Sequence, residues 1–482
     1  MATIDYSNRD YDSIRADLLS RASEIVPEWT SRSSSDFGVL FVDLWSYFAD
    51  VLHYYIDRAA GEAFITTATQ RESLLALASL FDYNPQLQKS STATVTVIGE
   101  NIPAGETVVV PINTTFVAPA TSERPIIYFT STQSASVSAS ANAAISVVEG
   151  LQINNETVGV SNGSANQRFS LFYSGVIGDS VKVFVKEGTV IDGVPSNVEY
   201  QFVNKLLDST ANDKVFSLLT TASNETEIVF GNGINGKIPN TGQDIVVNYR
   251  KGVGARGNIP ANSITQIQNS PSVYISEILS SVAVGGSNVE SIESLRNNIP
   301  NSFATQDRAV SLSDYKALVL QVAGVAKGTA SYSSGTVTIY AAPFTEDYLT
   351  YSSASLSVNA DLQTDIVEYY EPRQMIGASV TAASAINLTA VNITATVNVL
   401  SGYIASKVAE NVETALDTLF EFENVFFNQT LSKGQIYRTI LNVPGVDYVT
   451  LSLPSTETVT SGEYGLLKKG TYTITTVGGV TG

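Results

Sequence analysis

Residues 230–239 read FGNGINGKIP, and a second glycine run, GVGARG, follows at 252–257. Both fit G-x-G-x-x-G, and with Lys237 the first also fits most of a phosphate-binding loop. How they are read decides the fold of the middle of the chain. A phosphate loop must open a helix whose first amides hold the anion. A turn between strands needs only residues that tolerate positive φ and tight approach. Here Ile238 stands where Ser or Thr is required, Pro239 and Gly242 follow at once, and IVVNY at 245–249 resumes a strand. The expectation is a pair of tight turns between antiparallel strands. Gly231, Gly233, Gly236, Gly254 and Gly257 are the turn residues, and no nucleotide or other cofactor is expected.

Outward from these turns the pattern keeps a period of two. ATVTVI (93–98), TVVV (107–110), IIYF (126–129) and VKVFV (181–185) are short strands punctuated by Pro, Gly and Asn. The Ser/Ala tract at 131–144 lies between apolar segments and reads as strand plus loop. On the N-terminal side, residues 8–83 are helical, with helices over 37–56 and 70–80. Residues 286–384 are mixed: a helix over 313–322 capped by Ser313, strands at 325–331 and 336–340, a helix over 354–370 stopped by Pro372, and a strand at 376–381. The last segment repeats the theme, with a strand at 388–400, helices over 404–420 and 434–441, and a strand at 446–453. Each segment contains a helix that ends in V-x-G-V, at 322–325 and 443–446. The glycine of each suits the left-handed turn that closes the helix. The fold class is therefore multidomain α+β: a helical region at 1–88, an all-β region at 89–285, and two related α+β modules at 286–384 and 385–482.

Composition excludes several functions. The net charge of −19 argues against a nucleic-acid groove or an anionic membrane surface, both of which need clustered Lys and Arg. Cysteine is absent and His53 is the sole histidine, so thiolate chemistry and a Cys/His zinc site are ruled out. No secretory leader is recognised at the N-terminus. The most apolar stretch, 37–56, carries Asp43, Asp50 and His53, so membrane insertion is not expected. No paired carboxylates stand out in an aromatic-rich strand, although spacing alone does not exclude a pair brought together by folding.

The helix over 37–56 is the candidate site. Phe37, Phe41, Leu44, Trp45, Phe48, Leu52 and Tyr55 recur at three- and four-residue steps, with Asp36 as N-cap and Gly61 as the interruption after it. The stripe packs on the helix over 70–80, buries between subunits, or does both. One short helix is little cover for so wide a face. Asp43, Asp50 and Asp57 repeat every seven residues on the opposite flank with His53 between them, and read as a solvated face or as partners for a neighbouring protein's Arg and Lys.

Several blocks now fall in a familiar order: DFGVLFVDL at 36–44, RESLLALA at 71–78, FGNGINGKIP at 230–239, GARGNI at 254–259, GGSNVESIESLR at 285–296, RQMIG at 373–377 and VPGV at 443–446. Together they resemble the baseplate J-like proteins, wedge subunits of contractile-tailed phages and related contractile injection machines. Asn232 stands where that family commonly has an acidic residue. The resemblance implies a structural, non-enzymatic subunit of the virion tail baseplate, assembled in the host cytoplasm. It implies two copies joined to a smaller wedge subunit, contact with other baseplate, hub and sheath-initiating proteins, and a ring around the hub that relays host contact to sheath contraction. A tail-associated glycan hydrolase and a surface-binding adhesin are the competing classes.

Overall fold

The computed structural model describes residues 9–480 except 82, 122–123, 189, 192–193, 222–224, 346–348, 350 and 385–386. It has the multidomain α+β architecture expected from the sequence. The chain divides into two compact units, residues 1–85 with 291–303, and residues 86–290 with 304–482.

The first unit is helical. Helix α1 (Tyr11–Ile25) opens with a reciprocal cap between Asp10 and Ser13. Helix α2 (Phe37–Gly61) is capped by Asp36, whose Oδ1 accepts from the amides of Gly38 and Val39. Helix α3 (Arg71–Leu80) follows, and helix α4 (Ile292–Thr305) returns to it from far along the sequence. Leu74 and Ala78 of α3, with Ala68 and Tyr83, form one small core with Leu295 and Ile299 of α4. Arg296 of α4 donates to the Ala68 carbonyl at 2.6 Å. The cover for α3 is thus α4, and α2 packs on α1. Of the readings the sequence left open for the apolar stripe, packing on the helix over 70–80 is not what forms.

The second unit begins with two β-sheets. A six-stranded antiparallel sheet has the order 266–267, 115–118, 127–131, 143–149, 92–99, 275–280. Alternation in Thr92–Gly99 puts Val95 and Val97 inward with Phe116, Phe129 and Ile145. A seven-stranded sheet has the order 151–160, 244–251, 182–185, 198–202, 215–220, 226–230, 168–170, with one parallel pair. Its core is Val183, Val185, Tyr200, Phe216, Ile228, Phe230, Val247 and Tyr249. Strands 226–230 and 244–251, which flank the first glycine run, are separated in this sheet by three others. The expected hairpin is therefore replaced by a link across the sheet, which thirteen residues are long enough to make.

The chain passes from one sheet to the other at Gly150 and returns through the 3-10 turn Gly254–Gly257. Glu149 lies buried at this joint. Its Oε1 accepts from the Val253 amide at 2.8 Å, and its carbonyl accepts from the Ser90 hydroxyl. Burial pushes the Glu149 carboxyl up to about 7, against the pull of the Val253 amide, the Arg250 charge and the Gly254 amide. A pKa raised on folding means that the folded chain keeps a proton which the unfolded chain releases. Stability from this group is therefore full below the ordinary value of 4.5 and falls as pH rises towards about 7. Glu149→Gln is expected to flatten that slope, by at most about 3 kcal/mol across the window. Urea midpoints measured at both ends of it check this; an unchanged slope places the titration elsewhere.

The remaining modules share one plan in different chain orders. In the first, helix α5 (Leu312–Leu318) leads into strand Val325–Ser333, which pairs antiparallel with Thr336–Pro343; helix α6 (Ala360–Tyr370) then leads to Ser379–Ser384, parallel to Thr336–Pro343. In the second, the central strand Asn387–Ile404 comes first, followed by helix α7 (Ala405–Asp417) and helix α8 (Lys433–Leu441). Val446–Leu453 pairs antiparallel on one side of that strand and Gly465–Val480 parallel on the other. Gly324 and Gly445, each between a helical segment and its strand, have φ of 96° and 94°, the left-handed turn expected of both. Local boundaries differ from expectation. Ser311, not Ser313, caps α5, because Asp314 at the third helical position completes a reciprocal cap. Helix α6 starts at Ala360, where the Asn359 side chain accepts from the Leu362 amide.

Candidate protein interface

Helix α2 is apolar on its outer face. Val39 and Ser46 are fully buried, Val42, Asp43, Asp50, His53 and Asp57 are half-buried, and Asp43 pairs with Arg15 of α1 at 2.6 Å. That side chain holds the Arg15 guanidinium above its ordinary pKa. The heptad of aspartates, read from the sequence as solvated, is therefore the inward flank. Ile14 of α1 supplies buried apolar surface on that helix. The Ser46 hydroxyl turns back on the Val42 carbonyl, and Trp29 lies over Gly38, where a Cβ would stand 2.5 Å from the indole.

The seven stripe residues are all exposed, from 47% at Leu52 to 72% at Phe37. Leu40, Tyr47, Tyr54 and Ile56 are exposed beside them. At roughly 100° per residue these side chains cover an arc of about 200° over about 28 Å of helix. Aromatic rings are locked edge to face within the arc: Phe37 on Phe41 at 4.8 Å, Trp45 on Phe48 at 6.0 Å, Tyr54 on Tyr55 at 5.7 Å. Half-exposed aromatics at roughly 150–250 Å² each give this face on the order of 700 Å² of apolar surface, well beyond the few hundred that monomers expose.

The loop after α2 is held by a carboxylate. Burial would raise the Glu62 pKa, but the Thr69 hydroxyl, the Thr69 and Gln70 amides and the Ser73 hydroxyl outweigh it and hold the pKa at about 2. Glu62 thereby fixes the entry to α3, whose N-cap Gln70 makes no side-chain cap of its own.

The glycine run is built around its own backbone. Asn232 Oδ1 accepts from the Ile234 and Asn235 amides, Gly233 donates to the Gly236 carbonyl, and Gly236 donates to the Thr210 carbonyl. Gly233 and Gly236 have φ of 84° and 82°, and a Cβ on Gly231 would stand 2.2 Å from the Gly236 carbonyl. Lys237, the residue that would reach a phosphate, instead bonds both oxygens of Glu187 at 2.8 and 2.9 Å. Glu187 is 1% exposed and also accepts from the Tyr200 hydroxyl. The lysine charge is thus already taken up by a buried carboxylate of the same chain. Gly254 is pressed on Asn288 and Ser287, and Gly257 on Glu149 and Ser91, so the second run serves the joint between the sheets. Sequence reasoning missed Glu187 and Glu149, because nothing in the linear pattern marks an acid for burial.

Among the described residues no three His, Cys, Asp or Glu are grouped as a metal site, and no helix is long and apolar enough to cross a membrane. Two family models match the chain: a bacteriophage baseplate protein N-terminal domain over residues 10–80, and a baseplate J-like protein C-terminal domain over residues 391–475. No curated protein matches. Among solved structures, the chain is similar to one in the anti-feeding prophage baseplate, at 10% identity, covering 96% of this chain and 90% of that one with a TM-score of 0.33. It is also similar to one in the TssK-TssF-TssG baseplate subcomplex of the type VI secretion system, at 6% identity, covering 71% and 96% with a TM-score of 0.33. At these scores neither likeness bears on mechanism. The first match spans α1 to α3 with the outward aromatic face, the second spans the last sheet and its helices, and the chain is thus similar to baseplate proteins in its N-terminal helices and to the J-like ones in its C-terminal module.

Proposed function

We propose that this baseplate protein is a wedge subunit with no enzymatic role. Two copies join a smaller partner in each wedge, wedges close into a ring around the central hub, and rearrangement of that ring on host contact licenses sheath contraction. It resides in the tail baseplate of the particle and is assembled in the host cytoplasm. The outward aromatic face of α2 carries the proposal, because it lies within the residues matched by the baseplate N-terminal domain and is left exposed among the described residues. Helices of a second copy and of the smaller subunit bury Phe41, Leu44, Trp45, Phe48 and Leu52, each contributing roughly 1.5–3 kcal/mol. Electron cryo-microscopy of the source particle before and after contraction tests the assignment. The expected result is this chain in a ring around the hub, with its subunit contacts changed between the states. Density for the chain in a fibre or the tail tube instead would sink it.

A further inference from the structure

The last sheet has one guarded edge and one bare edge. Its outer strand Val446–Leu453 pairs with the central strand through two bulges and carries Asp447, devices that discourage further pairing. The opposite strand, Gly465–Val480, has no partner on its outer side among the described residues. From Ile393↔Tyr472 to Val399↔Gly478 its pairing with the central strand is unbroken. Residues 471–477, TYTITTV, contain no charge, Pro or Gly. Tyr472, Ile474 and Thr476 are half-buried on one face, while Thr471, Thr473, Thr475 and Val477 are exposed on the other. The two lysines, Lys468 and Lys469, guard only the start of the strand, and Lys469 is tied to Asp417 at 2.6 Å. A long, regular, uncharged edge offers its free amides and carbonyls to another strand.

We propose that this edge pairs antiparallel with the same edge of a second copy of the chain, joining the two three-stranded sheets into one of six. Charge permits that occupant at this edge, and the register selects it. Each chain carries −19 and repels its own copy over most of its surface, yet residues 465–480 contain no Asp or Glu. The pattern is also self-complementary. A two-fold axis at Ile474 sets Tyr472 opposite Thr476 and Thr473 opposite Thr475, each pair on one face. This contact goes beyond the α2 seam and does not rest on it.

The test uses the full chain carrying Phe48→Asp, which removes the α2 seam from the measurement. Sedimentation velocity is expected to show a dimer, and hydrogen exchange to show residues 471–477 becoming protected as concentration rises. Adding Thr473→Lys and Thr475→Lys, both at exposed positions, sets like charges opposite one another and is expected to weaken the dimer at least about tenfold. A monomer at every soluble concentration, a dimer indifferent to the lysines, or a dimer whose 471–477 amides exchange freely overturns the proposal. Protection of those amides only by a different baseplate subunit overturns it as well.

Discussion

Phe48→Asp is expected to leave the chain folded and soluble while abolishing its assembly into wedges. Phe48 is 54% exposed and stands on Trp45 at the centre of the outward arc, so the unassembled chain tolerates the carboxylate there. In the proposed seam the same carboxylate would meet apolar side chains without a counter-charge. Burying it costs several kcal/mol, a loss in affinity on the order of a thousandfold. Co-expression with the proposed smaller wedge subunit and sizing of the complexes give the readout, with circular dichroism as the control for folding. Wedges of normal yield from Phe48→Asp mean that the stripe is not the seam. Loss of all tertiary structure means that the face is covered within the chain after all.

The second large effect is expected at Gly231. Gly231→Val would drive a β-branched side chain into the Gly236 carbonyl, and the obstacle is backbone rather than a movable side chain. The loop must then open, and with it the Gly236 bond to Thr210, the Lys237 amide bond to Asp213 and the seat of Lys237 on buried Glu187. Stranding that carboxylate without its lysine adds to the steric cost, for a total of about 4 kcal/mol or more. Gly233→Val has only the Ile238 side chain in its way and a positive φ to strain, so it is expected to cost less. Denaturant unfolding of the two variants ranks them. Equal stability for Gly231→Val and the wild type would mean that the loop does not have this close-packed form.

Much of the architecture was legible from periodicity. The step from a period of about 3.6 to one of two near residue 90 marks where α3 ends and the first sheet begins, and both V-x-G-V segments close helical segments through left-handed glycines. The orientation of α2 was not legible. Its apolar stripe and aspartate heptad look like an ordinary amphipathic helix, for which burial of the apolar side is the rule. Here the aspartates face inward because α1 brings Arg15 to Asp43, and that meeting depends on two helices whose pairing no single periodicity encodes. The glycine run was read as a turn from Ile238 and Pro239, but a turn says nothing about which strands are neighbours. That information lies in the non-local pairing of 182–185 with 244–251.

The two α+β modules differ in the order in which the chain can build them. In the first, strands 325–333 and 336–343 meet across Ser334 and Gly335, both at positive φ, a two-residue loop that zips within microseconds. In the second, the central strand must wait. Its antiparallel neighbour lies roughly fifty residues later and its parallel neighbour roughly eighty, so loop closure precedes any reward from pairing. The hairpin of the earlier module is thus expected to close before the central strand of the later one finds its neighbours. Strand Gly465–Val480, the neighbour most distant in sequence from the start of the central strand, is on that ordering expected to dock last, and only then does the uncharged stretch 471–477 become an edge that a second copy can meet.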